Sequence, residues 1–150
     1  MSKNDGFTLL ETLAVLLLVA LLTSVAMPMF SSYADRARVS AAIGDISTIS
    51  LAIERYRLKN GDWVPPNLGV LGIDIPDDPW GQPYQYLRLQ DDVNRGAARK
   101  DGNLVPLNSD FDLYSVGADG SSVSSLRGQP SQDDIVRANN GAFIGLGKDY

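Results

Sequence analysis

A single carboxylate, Glu11, stands at the head of a run, residues 12–34, in which no residue is charged. An ionisable side chain in so apolar a segment costs on the order of a few kcal/mol in lipid unless a partner offsets it, so it reads as functional by default. The chemistry open to the rest of the chain is narrow. His and Cys are both absent, which removes the commonest general base, the thiolate nucleophile, soft metal ligands and any disulfide staple. The acids include the adjacent pairs Asp77-Asp78, Asp91-Asp92 and Asp133-Asp134. Neighbours in a strand point to opposite faces, so such pairs are poor convergent dyads. Ser-x-x-Lys, Gly-x-Ser-x-Gly and a phosphate-binding glycine loop are missing, and with them the usual signs of an enzyme. Oxygen-rich acids suit a hard cation such as calcium, which small domains without disulfides often use. A net charge of −5 with scattered basic residues excludes a nucleic-acid surface.

The elements that must position these groups begin with the apolar run. Its length exceeds the roughly 20 residues that a helix needs to cross a bilayer of about 30 Å. A cleaved secretory signal has a shorter apolar region followed by a small-x-small site, so this segment is expected to stay in the mature chain. Lys3 precedes the span while Arg36 and Arg38 follow it, and the charge rule leaves the orientation open. Beyond the span, Val39, Ile43, Ile46, Ile49, Ile53 and Tyr56 recur at spacings of four and three, the mark of one apolar helical face. Asn60-Gly61 supplies a C-terminal stop, Gly being free to turn left-handed. Pro28 removes one backbone bond and predicts a kink or local melting, with Gly44 a weaker soft point.

Residues 62–83 are crowded with Pro and Gly and read as a loop region with Trp63, Leu68, Leu71, Ile73 and Ile75 turned inward. Asp78-Pro79-Trp80-Gly81 reads as a tight turn whose Trp plugs the sheet edge. Residues 84–89, 111–116 and 142–146 read as strands. Residues 91–108 and 121–140 read as polar connections, and the basic middle of the first, Arg95, Arg99 and Lys100, as a solvated face rather than an anion site. The expected fold is α+β: a long N-terminal α-helix, transmembrane in its first half and amphipathic in its second, under a small C-terminal antiparallel β-sheet head.

Gly6-Phe7-Thr8-Leu9-Leu10-Glu11 with the apolar run behind it resembles the type III signal of the type IV pilin superfamily. The resemblance implies a leader, residues 1–6, that a prepilin peptidase removes after Gly6 before methylating the new terminus at Phe7. It implies that Glu11 meets the positive terminal amine of an adjacent subunit during assembly, and that Pro28 is the family's membrane-helix proline. The chain is then divided into a transmembrane and filament-core helix over 7–34, an amphipathic helix over 35–60 and a head over 61–150.

Asp78-Pro79-Trp80-Gly81-Gln82-Pro83-Tyr84-Gln85-Tyr86, Phe111-Asp112-Leu113-Tyr114-Ser115-Val116-Gly117-Ala118-Asp119-Gly120 and Asp133-Asp134-Ile135 resemble, more narrowly, the major pseudopilins of type II secretion systems. That resemblance implies a non-enzymatic subunit of a single-pass type in the bacterial inner membrane, its head in the periplasm. The implied partners are copies of itself, other pseudopilins, the inner-membrane assembly platform and, before assembly, membrane lipid. A major or minor pilin of a type IV pilus is the alternative; many of these carry a disulfide that a chain without Cys cannot form. The resemblance further implies one calcium ion, held by the side chains of Asp119, Asp133 and Asp134 and a carbonyl near Val116, fastening the last strand to the sheet. Three carboxylates on one loop repel one another unless a divalent cation neutralises them. The other reading of the same acids is that each bonds local backbone in a turn. Against the family pattern, the stretch between Asp119 and Asp133 is long and poor in acids, and the 91–108 connection is expanded.

Overall fold

The computed structural model describes residues 7–90 and 92–150. The chain divides into two compact units, Met1–Ala37 and Arg38–Tyr150, and one helix, α1 (Leu9–Lys59, 51 residues), contributes to both. Within the first unit the large apolar side chains from Phe7 to Tyr33 are exposed. The hydroxyls among them are satisfied inside the helix: Thr12, Ser24 and Ser32 donate to the carbonyls of Leu9, Leu21 and Met29 at 2.8, 2.7 and 2.9 Å, and Thr23 donates to Val19. Such back-bonding lets Ser and Thr sit in an apolar medium without an unpaired donor. The helical assignment continues through Pro28 instead of melting there, since one missing N–H removes one bond of a long ladder.

In the second unit the helix turns its predicted stripe inward. Ile46, Ile49 and Ile53 are buried, Val39 and Ile43 pack beside them, and Ala42 joins the same face. Their partners come from a four-stranded antiparallel sheet, β1 (Gln85–Arg88), β2 (Phe111–Ser115), β3 (Ile135–Ala138) and β4 (Phe143–Leu146), in the order β1-β2-β3-β4. Register is fixed by Tyr86 opposite Leu113, Ser115 opposite Ile135 and Arg137 opposite Ile144. Alternate residues Phe111 and Leu113 of β2, with Ile135 of β3, meet the isoleucines of α1. Side chains of the opposite face, Tyr114 and Val136, pack with Leu107, Leu126 and Phe143 in a second cluster. The sheet is therefore covered on both faces, by the helix on one side and by the two long connections on the other.

That second covering explains the missed strand. Ile135-Val136-Arg137-Ala138 lies inside what reads as a polar loop, and all four residues are buried. A strand covered on both faces loses the apolar-polar alternation that marks a half-exposed one. Arg137 is tolerated there because its guanidinium grips both carboxylate oxygens of Asp110 at 2.9 and 2.8 Å and lies 3.9 Å over the Phe111 ring. Arg57, near the end of α1, binds Glu54 and Asp62 at 2.9 and 2.6 Å.

The Pro- and Gly-rich region has no long helix, only a 3-10 turn at Leu68–Leu71. Leu68, Leu71 and Ile75 pack on the core as expected, but Trp63 and Ile73 do not, being 55% and 42% exposed. The inward place beside Trp63 belongs to Val64, 1% exposed, whose N–H is held by Gln90 at 2.8 Å. The left-handed pair Gly61 and Asp62 ends the helix so that Trp63 falls at the rim, beneath the Arg88 guanidinium. Asp78 makes the expected turn. Its Oδ1 accepts from the N–H groups of Trp80 and Gln82 at 3.0 and 2.8 Å, while Oδ2 takes the Ser115 hydroxyl of β2. Trp80 packs against the core beside it.

Candidate functional site

Two places gather the residues singled out for chemistry: the start of α1 and the turn after β2. At the first, Gly6 lies outside the described residues and Phe7 is 83% exposed. Glu11 is not idle in the isolated subunit. Its Oε2 accepts from the Thr8 N–H at 2.9 Å and the Thr8 hydroxyl at 2.8 Å, and its own N–H points to Thr8 Oγ1 at 3.3 Å. This is a capping box, which satisfies two of the free donors at the beginning of a helix. Thr8-Leu9-Leu10-Glu11 spells that box in the sequence, so Thr8 was legible there as a partner of Glu11. Among the described residues, these bonds to the carboxylate fall on Oε2. Pro28 stands within the described span of α1, well away from this cluster in sequence.

At the second place the sequence-derived ligands separate. Val116 follows the end of β2, and Gly117, at φ 68°, starts the turn. A Cβ at residue 117 would stand 2.4 Å from the carbonyl oxygen of Asp133, so only Gly fits. Asp133 caps the turn: its Oδ2 accepts from the N–H groups of Ala118 and Asp119 at 2.8 and 3.0 Å. Asp119 bonds forward to the Ser121 N–H at 2.7 Å. Asp134 faces the other way, fully buried, with Oδ2 held by Arg99 Nη2 at 2.6 Å and the Ser122 hydroxyl at 2.6 Å. Burial pushes its pKa above the ordinary carboxylate value, against the pull of Ser122 and Arg99. Among the described residues no group of three or more acids is placed to hold a metal ion. Asp119, Asp133, Asp134 and the Val116 region thus do not fit a single calcium ion as arranged.

Arg99 corrects the reading of the 91–108 connection as a solvated face. Arg95 is exposed, but Arg99 is 3% exposed. Its backbone N–H donates to Asp112 at 2.7 Å, its Nη1 to Ser122 at 2.7 Å, and its guanidinium lies 4.1 Å over Tyr114. Its partner Asp134 is 35 residues away in sequence, and no local pattern announces such a pair.

Comparison with known proteins bears on both places. Residues 1–27 match the prokaryotic N-terminal methylation motif. The chain is similar to the type II secretion system core protein G of Pseudomonas aeruginosa, 33% identical over 138 residues that cover 79% of this chain and 86% of the relative. Core protein G of Vibrio cholerae is 27% identical over 139 residues, covering 80% and 84%. A fimbrial protein of Neisseria meningitidis serogroup A is 31% identical over 139 residues, covering 91% and 81%. No solved structure matches the chain.

Proposed function

The chain belongs to the family of type II secretion core protein G, and from that premise we infer how its two ends act. It is a structural subunit of a type II secretion pseudopilus, in a family that is not enzymatic. The observation that carries this reading is the methylation motif joined to a helix whose large apolar side chains, from Leu9 to Tyr33, are exposed. An uncovered apolar surface of this extent marks a face meant for lipid or for other subunits. Before assembly it lies in the inner membrane, with the head on the periplasmic side; after assembly the same side chains meet their copies in the filament core. Prepilin peptidase cuts after Gly6 and methylates Phe7, the assembly platform receives the subunit, and other pseudopilins complete the polymer.

Glu11 sets the register of an incoming subunit. Its own terminal amine would stand on Phe7, ahead of α1, and Thr8 already holds one oxygen. A neighbour's amine meets no such constraint and reaches Oε1. An ion pair closed only on assembly offsets the cost of the buried charge where it is needed. Pro28, with no N–H to give, lets the helix loosen as it leaves the bilayer. The similarity to the meningococcal fimbrial protein favours a second reading, a pilin of a type IV pilus, built on the same N-terminal device.

Intact mass of the full protein extracted from membranes tests the processing. The expected chain begins at Phe7 and carries one methyl group on its amine. An unprocessed Met1 in a cell containing the peptidase contradicts the reading.

A further inference from the structure

We propose that Arg99 is the resident cation of the head, taking the electrostatic role that calcium would otherwise play, so that the last strands are fastened without a metal ion. The inference rests on the pseudopilin reading only for the part this fastening plays in a filament. Its basis is the way the acids after β2 are used. One oxygen each of Asp133 and Asp119 accepts from backbone N–H groups of residues 118–121, after β2. Asp134, the acid next to β3, is turned into the interior, where the Arg99 guanidinium is bonded to it.

Arg99, Ser122 and Asp134 close a ring of hydrogen bonds at 2.6 to 2.7 Å. Two buried atoms nearby lack a partner, Arg99 Nε and Asp134 Oδ1. They are a donor and an acceptor that would pair with each other if the guanidinium turned side-on to the carboxylate. A divalent ion on the same carboxylate would sit against the guanidinium, and like charges in a low-dielectric interior repel strongly.

The two long connections, residues 91–108 and 121–140, build this pair. The first delivers Arg99 and the second Ser122, and they zip together: Lys100 N–H donates to Ser124 at 2.8 Å and Leu126 N–H returns to Lys100 at 2.9 Å. Leu107 and Leu126, one from each segment, meet Val136 of β3 in the second core cluster. The two connections therefore act together, walling off the back of the sheet and carrying a fixed positive charge to Asp134. Fastening by a covalently supplied cation is independent of calcium in the surrounding medium.

The test is thermal unfolding of the full protein in detergent micelles, with millimolar calcium and with excess EGTA, followed by near-ultraviolet circular dichroism. The expected result is the same Tm in both. A rise of several degrees in calcium, the mark of a saturated ligand bound only to the native state, would overturn the proposal. Arg99→Met is expected to lower Tm sharply, because it strands a buried charge, and Arg99→Met with Asp134→Leu to recover most of the loss. A single variant as stable as the wild type also overturns it; should that variant not fold, the wild-type comparison and the double variant still decide. A chain with methylated Phe7 and a calcium-dependent Tm would refute the resident cation and leave the pseudopilus intact. An unprocessed terminus with a calcium-independent Tm would do the reverse.

Discussion

Glu11, the buried Tyr84 and the half-buried Tyr86 carry the predictions that belong to single side chains. In the isolated subunit Glu11 caps its own helix through Thr8, so Glu11→Gln should leave the helix and its insertion intact: an amide oxygen still accepts from Thr8. What it loses is the charge that a neighbour's amine would meet. A hydrogen bond to a charged group contributes about 1.5–3 kcal/mol, so subunit association should weaken roughly tenfold to a hundredfold. Cross-linking between subunits in membranes measures this, and unchanged cross-linking would exclude the amine as the partner. Tyr84 donates to Asp45 of α1 at 2.7 Å and Tyr86 to the Pro65 carbonyl at 2.6 Å. Burial, first of all, raises both phenols above the ordinary 10.0; the carboxylates of Asp45 and Asp78 add to it at Tyr84, while at Tyr86 the pull of Arg88 and Arg137 opposes Asp110 and Tyr56. A folded pKa above the unfolded one means that the contribution is complete below the unfolded value and is lost as pH rises beyond it. Head stability should thus begin to fall as pH rises past about 10 and keep falling above it, and a Tyr84→Phe, Tyr86→Phe variant should lose less over the same range. Equal losses in the two proteins would exclude the phenols as the cause.

At the scale of elements, the helix was the most legible part of the sequence and β3 the least. The Ile46, Ile49, Ile53 stripe announces its buried face because only one side of the helix is covered. Ile53 is fully buried, and Ile53→Ala should cost about 2–5 kcal/mol, seen as a Tm lower by on the order of 10 °C. A change within a degree or two would mean that the helix does not pack as described. Strands β1, β2 and β4 show their alternation or their flanking turns. β3 does not, because the connections that cover its second face remove the contrast from which a strand is read. Trp63 misled for a related reason: a large aromatic residue in a Pro-rich loop is expected inside, yet the left-handed turn at Gly61 and Asp62 hands that place to Val64. The acidic turn was legible as a turn. Which of its acids faces inward was not, since the residue that decides it, Arg99, comes from a segment whose charge alone looks like a solvated face.

For the whole molecule, one chain combines a surface that cannot remain in water with a head that can. The N-terminal unit exposes its apolar side chains, and the only charge among residues 7–34 is the carboxylate of Glu11. The head buries its core between helix, sheet and two zipped connections, and relies on paired charges where a disulfide is impossible. A single exposed apolar helix of this kind fits inner-membrane anchoring of a pseudopilin, a family that polymerises. That account separates a secretion pseudopilus from a surface pilus by what the cell loses without the subunit. The most direct measurement is the fraction of folded exoproteins retained in the periplasm of a strain lacking this chain, compared with the same strain carrying it again. Retention that the restored chain reverses is the predicted result; normal release of exoproteins together with loss of surface pili would contradict the account.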